Sequence, residues 1–171
     1  VGFFQTDKYF RHIKDRIKKE FTFTDEIKED CSDILECFDS PIALHIRRGD
    51  YLRNSDNHHN LSDEYYRQAL SEFDDDRQVI IFTDDPKYAL ENELFDDDRF
   101  IVSEGNSSYH DLFMMTQCED YIISNSTFSW WGAWLGDKGK VVAPKKWFGP
   151  ANAHKSTEDL YPEHWTILDH D

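Results

Sequence analysis

Two stretches of this sequence concentrate groups able to grip an anion. The first is His45-Ile46-Arg47-Arg48-Gly49-Asp50-Tyr51. A guanidinium presents two parallel N–H donors, so an arginine at a strand end can fork onto two phosphate oxygens. Gly49 allows the backbone to turn sharply or to approach a ligand. His45 and Arg47 alternate along one strand and can face the same pocket. The same residues also fit a plainer arrangement, a surface arginine pair beside a core histidine. The second stretch runs from Ser124-Asn125-Ser126-Thr127-Phe128-Ser129 into Trp130-Trp131-Gly132-Ala133-Trp134-Leu135. Its pattern is a strand, a hydroxyl-rich turn and a helix, and the first-turn N–H groups and dipole of such a helix favour an anion. The hydroxyls of Ser126, Thr127 and Ser129 add donors. In the plainer reading a Ser or Thr caps the helix and Trp130, Trp131 and Trp134 fill a core. Cap and anion site use the same atoms, so the two readings are compatible.

Composition sharpens the first motif. The chain has 171 residues, with 35 Asp and Glu against 19 Lys and Arg and a formal net charge of −16. That balance excludes nucleic-acid binding by broad phosphate neutralisation. An anionic ligand must then meet locally concentrated positive charge, and Arg47-Arg48 is the only Arg-Arg pair. The acidic runs Asp74–Asp76 and Asp96–Asp98 read as solvated loops. With 13 Phe, 8 Tyr and 5 Trp, one domain over 1–171 can build a real core. No stretch approaches the roughly 20 apolar residues of a membrane helix, and Val1–Gln5 lacks the basic start of a signal peptide. A cytoplasmic protein is expected, with peripheral membrane association of a full-length protein left open. Cys31, Cys37 and Cys118 are odd in number and without CxxC spacing, which argues against disulfides and zinc. The sequons at Asn106 and Asn125 read as chance.

The elements that must position these residues follow from periodicity. A helical lead-in segment (1–40) holds one helix over 6–21, with Thr6 or Asp7 as cap, and a second over about 24–38. A sheet core (41–150) follows. Its apolar strands lie near 42–46, 79–82, 100–102, 121–123 and 141–143. Helices intervene with Ser62 as a cap, at Asp85-Pro86, from Ser108 and over Thr127–Leu135. Residues 151–171 read as a C-terminal tail. Alternation of apolar strands with helices signifies an α/β fold, a Rossmann-like parallel sheet flanked by helices. Ligands of such sheets bind beyond the carboxyl ends of the strands. The polar clusters at 47–50, 83–85, 103–106 and 124–127 all stand directly after strands and are expected to meet along that edge.

The two motifs together, with Ala143-Pro144-Lys145-Lys146-Trp147-Phe148, resemble the α-1,2-fucosyltransferases of glycosyltransferase family 11. The resemblance runs from Phe4-Gln5 and Lys8-Tyr9-Phe10 to Trp147. It implies the donor-binding half of a GT-B-like enzyme that transfers L-fucose from GDP-fucose to galactose O2 with inversion and without a metal. Its partners would be GDP-fucose and a galactose-containing glycan. Arg47 matches the arginine that holds the donor diphosphate, and His45 and Arg48 match its neighbours. Asp111 corresponds to an acidic residue aimed at guanine N–H groups, Ser126, Thr127 and Ser129 stand where the β-phosphate is received, and Asn125 also falls in the donor site. Family members extend further at the N-terminus, where much of the acceptor side lies, so a GDP-sugar-binding module without catalysis is the alternative. A carbohydrate-binding module with tryptophan platforms is a third.

For the base that accepts the acceptor's proton, Asp50 is the first candidate and His59 the second, although His58-His59 also fits a solvent loop. No Asp-x-Asp is read after a strand. Asp84-Asp85 is contiguous, and neighbours on extended backbone point to opposite faces. Asp85 is expected to cap a helix and Asp84 to line the nucleotide site.

Overall fold

The computed structural model describes residues 6–169. Val1–Gln5, and with it the Phe4-Gln5 end of the resemblance, lies outside the described residues. Six strands form one parallel sheet: β1 (Ile42–Ile46), β2 (Val79–Thr83), β3 (Phe100–Val102), β4 (Asp120–Ile122), β5 (Val141–Pro144) and β6 (Thr166–Leu168). Their order is β3-β2-β1-β4-β5-β6, so the winding direction reverses between β1 and β4. The seven α-helices are α1 (Lys14–Glu20), α2 (Asp25–Leu35), α3 (Gly49–Leu52), α4 (Asp63–Leu70), α5 (Pro86–Glu91), α6 (Ser108–Gln117) and α7 (Thr127–Gly136) among the described residues.

Strand alternation explains the two-faced core. On β1, Ile42, Leu44 and Ile46 project into one cluster with Tyr65, Tyr66 and Leu70 of α4 and Ala89 of α5. Ala43 projects the other way, into a cluster with Cys31 of α2, Met114 and Met115 of α6, and Trp130 and Trp134 of α7. A strand buried on both faces is apolar throughout, and all five residues of β1 are buried, His45 included. Trp130 is 0% and Trp134 4% exposed, and Trp131 is stacked between Phe10 and Phe21. The tryptophans are therefore core rather than solvent platforms, which removes the carbohydrate-binding-module reading.

Four expectations change. The helix over 6–21 is broken into two 3-10 turns, Asp7–Tyr9 and Arg11–Ile13, before α1. Phe10 leaves helical geometry (φ −139°, ψ 2°) and turns its ring onto Trp131 and Trp134, 5.4 and 5.1 Å away. Burial of that ring outweighs one unbroken helix. Ser62 stands at the cap of α4, but its side chain makes no capping bond. Finally, residues 151–171 are more than a tail. They carry β6, which pairs with β5, and buried Leu160 and Trp165, with the Leu160 carbonyl accepting from Trp130 Nε1 at 2.9 Å. Since β6 is a strand, Asp169-His170-Asp171 is an Asp-x-Asp directly after one. The premise that no such pattern exists does not hold; its last two residues lie outside the described residues.

Candidate functional site

The site grows from the point where the sheet reverses direction. His45, on β1, and Ser124, just past β4, meet there with Nδ1 and Oγ 2.6 Å apart. Burial first, and the nearby Arg47 charge second, push the His45 pKa down to about 3. The imidazole is thus neutral near pH 7 and acts as a hydrogen-bonding strut rather than a cation.

Past the end of β1 at Ile46 the two arginines diverge, and Arg48, at the cap of α3, leaves extended geometry (φ −129°, ψ −53°). Arg47 is held by two carboxylates, Asp50 Oδ1 at 2.7 Å and Asp84 Oδ2 at 3.2 Å, and its guanidinium lies 5.5 Å over the Tyr51 ring. Arg48 turns away to Asp85, at 3.5 Å, and stacks 3.7 Å over Tyr88. Asp84 does double duty, since its Oδ1 accepts from the Arg48 backbone N–H at 2.8 Å. A Cβ on Gly49 would stand 2.6 Å from Asp84 Oδ2. A side chain at 49 would thus push aside the carboxylate that holds Arg47. Asp85 caps α5 through Tyr88 N–H, with Pro86 at the first position, as its sequence context implies.

His45, Arg47, Asp84 and Asp111 line a single cleft of about 220 Å³, together with Phe82, Thr83, Ser108 and Phe128. The last four were missed as site residues. Thr83 and Ser108 do stand directly at element ends, where a signal existed; the two phenylalanines read only as core. Asp111 receives a hydrogen bond from Ser103 Oγ at 2.7 Å, and Ser103 in turn accepts from Asn106 at 3.0 Å. Burial raises the Asp111 pKa, with the Ser103 hydrogen bond and His110 opposing it.

The start of α7 borders the same cleft through Phe128. Ser126 caps it, its Oγ accepting from Phe128 N–H at 3.3 Å. Ser129 is fully buried and its hydroxyl is turned to the Ser124 and Ser126 carbonyls, 3.3 Å from each. Thr127 is half-buried at the first helical position. Asn125 is 1% exposed, and its amide N–H groups go to the carbonyls of His59 and Trp147, both at 2.8 Å. It therefore ties the loops after β1 and β5 to the turn after β4.

His59 lies apart from the Arg47 cleft. It lines a second cavity of about 370 Å³ with Lys145, Lys146, Phe148 and Lys155. Tyr51 joins the two regions: it lies under Arg47, stacks on His58 at 4.0 Å and donates to the Asn125 carbonyl at 3.1 Å.

The family model Glycosyl transferase family 11 matches residues 1–169. The chain belongs to this family. Family 11 relatives include an Alpha-1,2-colitosyltransferase of Escherichia coli, 35% identical over 99% of this chain and 62% of its own length. The O-antigen biosynthesis glycosyltransferase WbnK of Escherichia coli is 34% identical over 94% of this chain and 58% of its length. Galactoside alpha-(1,2)-fucosyltransferase 1 of Homo sapiens is 27% identical over 74% of this chain and 40% of its length. The chain thus spans about 60% of the bacterial relatives' length. A solved structure of POFUT1 in complex with GDP superposes with a TM-score of 0.48 at 17% identity, covering 68% of this chain and 44% of that one. Among the described residues no helix is long and apolar enough to cross a membrane.

Proposed function

We propose that this family 11 chain binds GDP-fucose in the cleft at the β1–β4 reversal and serves transfer of L-fucose to O2 of a galactose, with inversion and without a metal. The observation that carries the reading is the convergence of Arg47 and Asp111, distant in sequence, on one cleft. Asp111 offers carboxylate oxygens to guanine N–H groups, and Arg47 offers a fork to the diphosphate. Arg47 has Asp50 and Asp84 as partners; on donor binding the diphosphate takes the place of the more exposed Asp50. As the sugar–oxygen bond breaks, negative charge grows on GDP. Each preorganised donor there, Arg47 and the α7 N-terminus, lowers the barrier by about 3 kcal/mol.

The acceptor hydroxyl attacks C1 from the face opposite GDP and gives up its proton. Asp50, displaced from Arg47 by the diphosphate, is then free to take that proton and is the first candidate base. His59, on the wall of the second cavity and apart from the Arg47 cleft, is the second candidate. Carboxylates are not needed here to hold a cation: Asp84 serves Arg47 and the Arg48 amide, and Asp85 caps α5.

The 35% identity to a colitosyltransferase favours a second donor. Colitose is L-fucose without the 3-hydroxyl, so the two GDP-sugars differ by one oxygen. Asp111→Asn tests the site: affinity for GDP falls and the preference for GDP over ADP narrows. A lowered melting temperature with unchanged nucleotide preference would reduce Asp111 to a helix-start residue. GDP release with lactose, measured in parallel with GDP-fucose and GDP-colitose, decides the donor.

A further inference from the structure

The second cavity is charged against the trend of the molecule. The sequence carries net charge −16, yet the cavity wall holds Lys145, Lys146 and Lys155 and no carboxylate. Lys155 lies 5.3 Å over the partly exposed Phe148 ring, and Lys145 also reaches Asp169, just outside the wall, at 2.5 Å.

The cavity is built rather than incidental. Gly149 N–H donates to the Asn57 carbonyl at 2.9 Å, Ala151 N–H to Asp56 at 2.8 Å, and Asn152 Nδ2 to Asn57 Oδ1 at 2.9 Å. A Cβ at Gly149 would stand 2.3 Å from the Ser55 carbonyl, so the two loops are in close contact. The buried Asn125 amide fastens both to the turn before α7. The cavity is built on the loops after β1 and β5, and Tyr51, under Arg47, stacks on His58, the neighbour of His59 on the cavity wall.

We propose that this cavity is an acceptor subsite for a glycan that bears an anionic substituent, a carboxylate or a phosphate ester, with Phe148 against the apolar face of a sugar ring. The inference rests on the transferase reading above. An acidic protein repels an anionic acceptor, and a local cluster of ammonium groups overcomes that repulsion where docking occurs. Lysines are point charges without a fixed fork, so the cluster takes either anion.

The test follows backbone amide shifts of His59 and residues 145–155 in the intact chain. Four probes are titrated: methyl β-D-glucuronide, galactose 6-phosphate, methyl β-D-galactoside and inorganic phosphate. Both anionic sugars are expected to bind about tenfold more tightly than the neutral galactoside, the effect of one charge-assisted bond. Raised salt should weaken them, and Lys155→Gln should cost them severalfold while GDP affinity stays unchanged. The glucuronide and phosphate arms tell which anion is preferred. Equal binding of neutral and anionic sugars overturns the proposal. So does inorganic phosphate binding as tightly as the sugar anions, or displacement of the probes by GDP, which would make the cavity part of the donor site. Failure of GDP to bind the Arg47 cleft would sink the donor reading, while the anion preference of the lysine cavity is read from its own signals.

Discussion

At the scale of single residues, the site depends on how charge is held. Arg47 is the group whose geometry matters most. Arg47→Lys keeps the charge and loses the fork. Calorimetry should show GDP affinity weakened by about 1.5–3 kcal/mol, the worth of a charge-assisted bond, and unchanged affinity in a folded protein would remove the clamp role. His45 makes a second prediction, about pH. Its folded pKa of about 3 lies below the ordinary 6.5. Between those values the unfolded chain takes up a proton that the folded chain refuses, so stability from this residue is complete above pH 6.5 and is lost as pH falls toward 3. Melting temperatures of the native chain and His45→Asn, followed from pH 7.5 to 4.5, should converge at the acid end. Parallel curves would show that His45 is not the group responsible. That these two residues line one cleft was legible because residue type and strand-end position suffice. The separation of Arg48 from Arg47 was not legible, because the pair stands past the end of β1, where Arg48 turns into the cap of α3.

At the scale of elements, the strand–turn–helix units decide whether those side chains arrive together. The turn after β1 closes on Asp84, which leaves no room for a Cβ at residue 49. Gly49→Ala should therefore displace the Asp84 carboxylate, loosen Arg47 and weaken GDP binding, with a smaller effect in an Asp84→Ala background because the obstructing oxygen is gone. Additive losses in the two backgrounds would show that the glycine serves the backbone alone. Helices α5, α6 and α7 and the first five strands were all legible in apolar runs and caps. The lead-in helix was not, because Phe10 is drawn into the tryptophan cluster by contacts far away in sequence. Nor was β6: three residues, Thr166-Ile167-Leu168, carry too little pattern to announce a strand without β5 beside them.

At the scale of the whole molecule, the sheet order places everything. Both cavities lie among segments that follow strands, and in the proposed mechanism the positive field for a diphosphate comes from Arg47 and the start of α7. GDP affinity should therefore be the same in EDTA and in Mn²⁺. A gain of tenfold or more with Mn²⁺ would overturn the metal-free mechanism and direct attention to Asp169-His170-Asp171. What the sequence determined by itself was the class of fold, the family likeness and the post-strand positions of the polar clusters, because local periodicity and residue type are short-range properties. Only the tertiary structure decided which clusters share a wall. It put Asp111 beside Arg47, buried Ser129 and Asn125 as internal ties, and moved His59 to a lysine-lined cavity. Those outcomes depend on strand order and on which loop crosses which, and no spacing along the chain encodes the distance between the ends of two different strands.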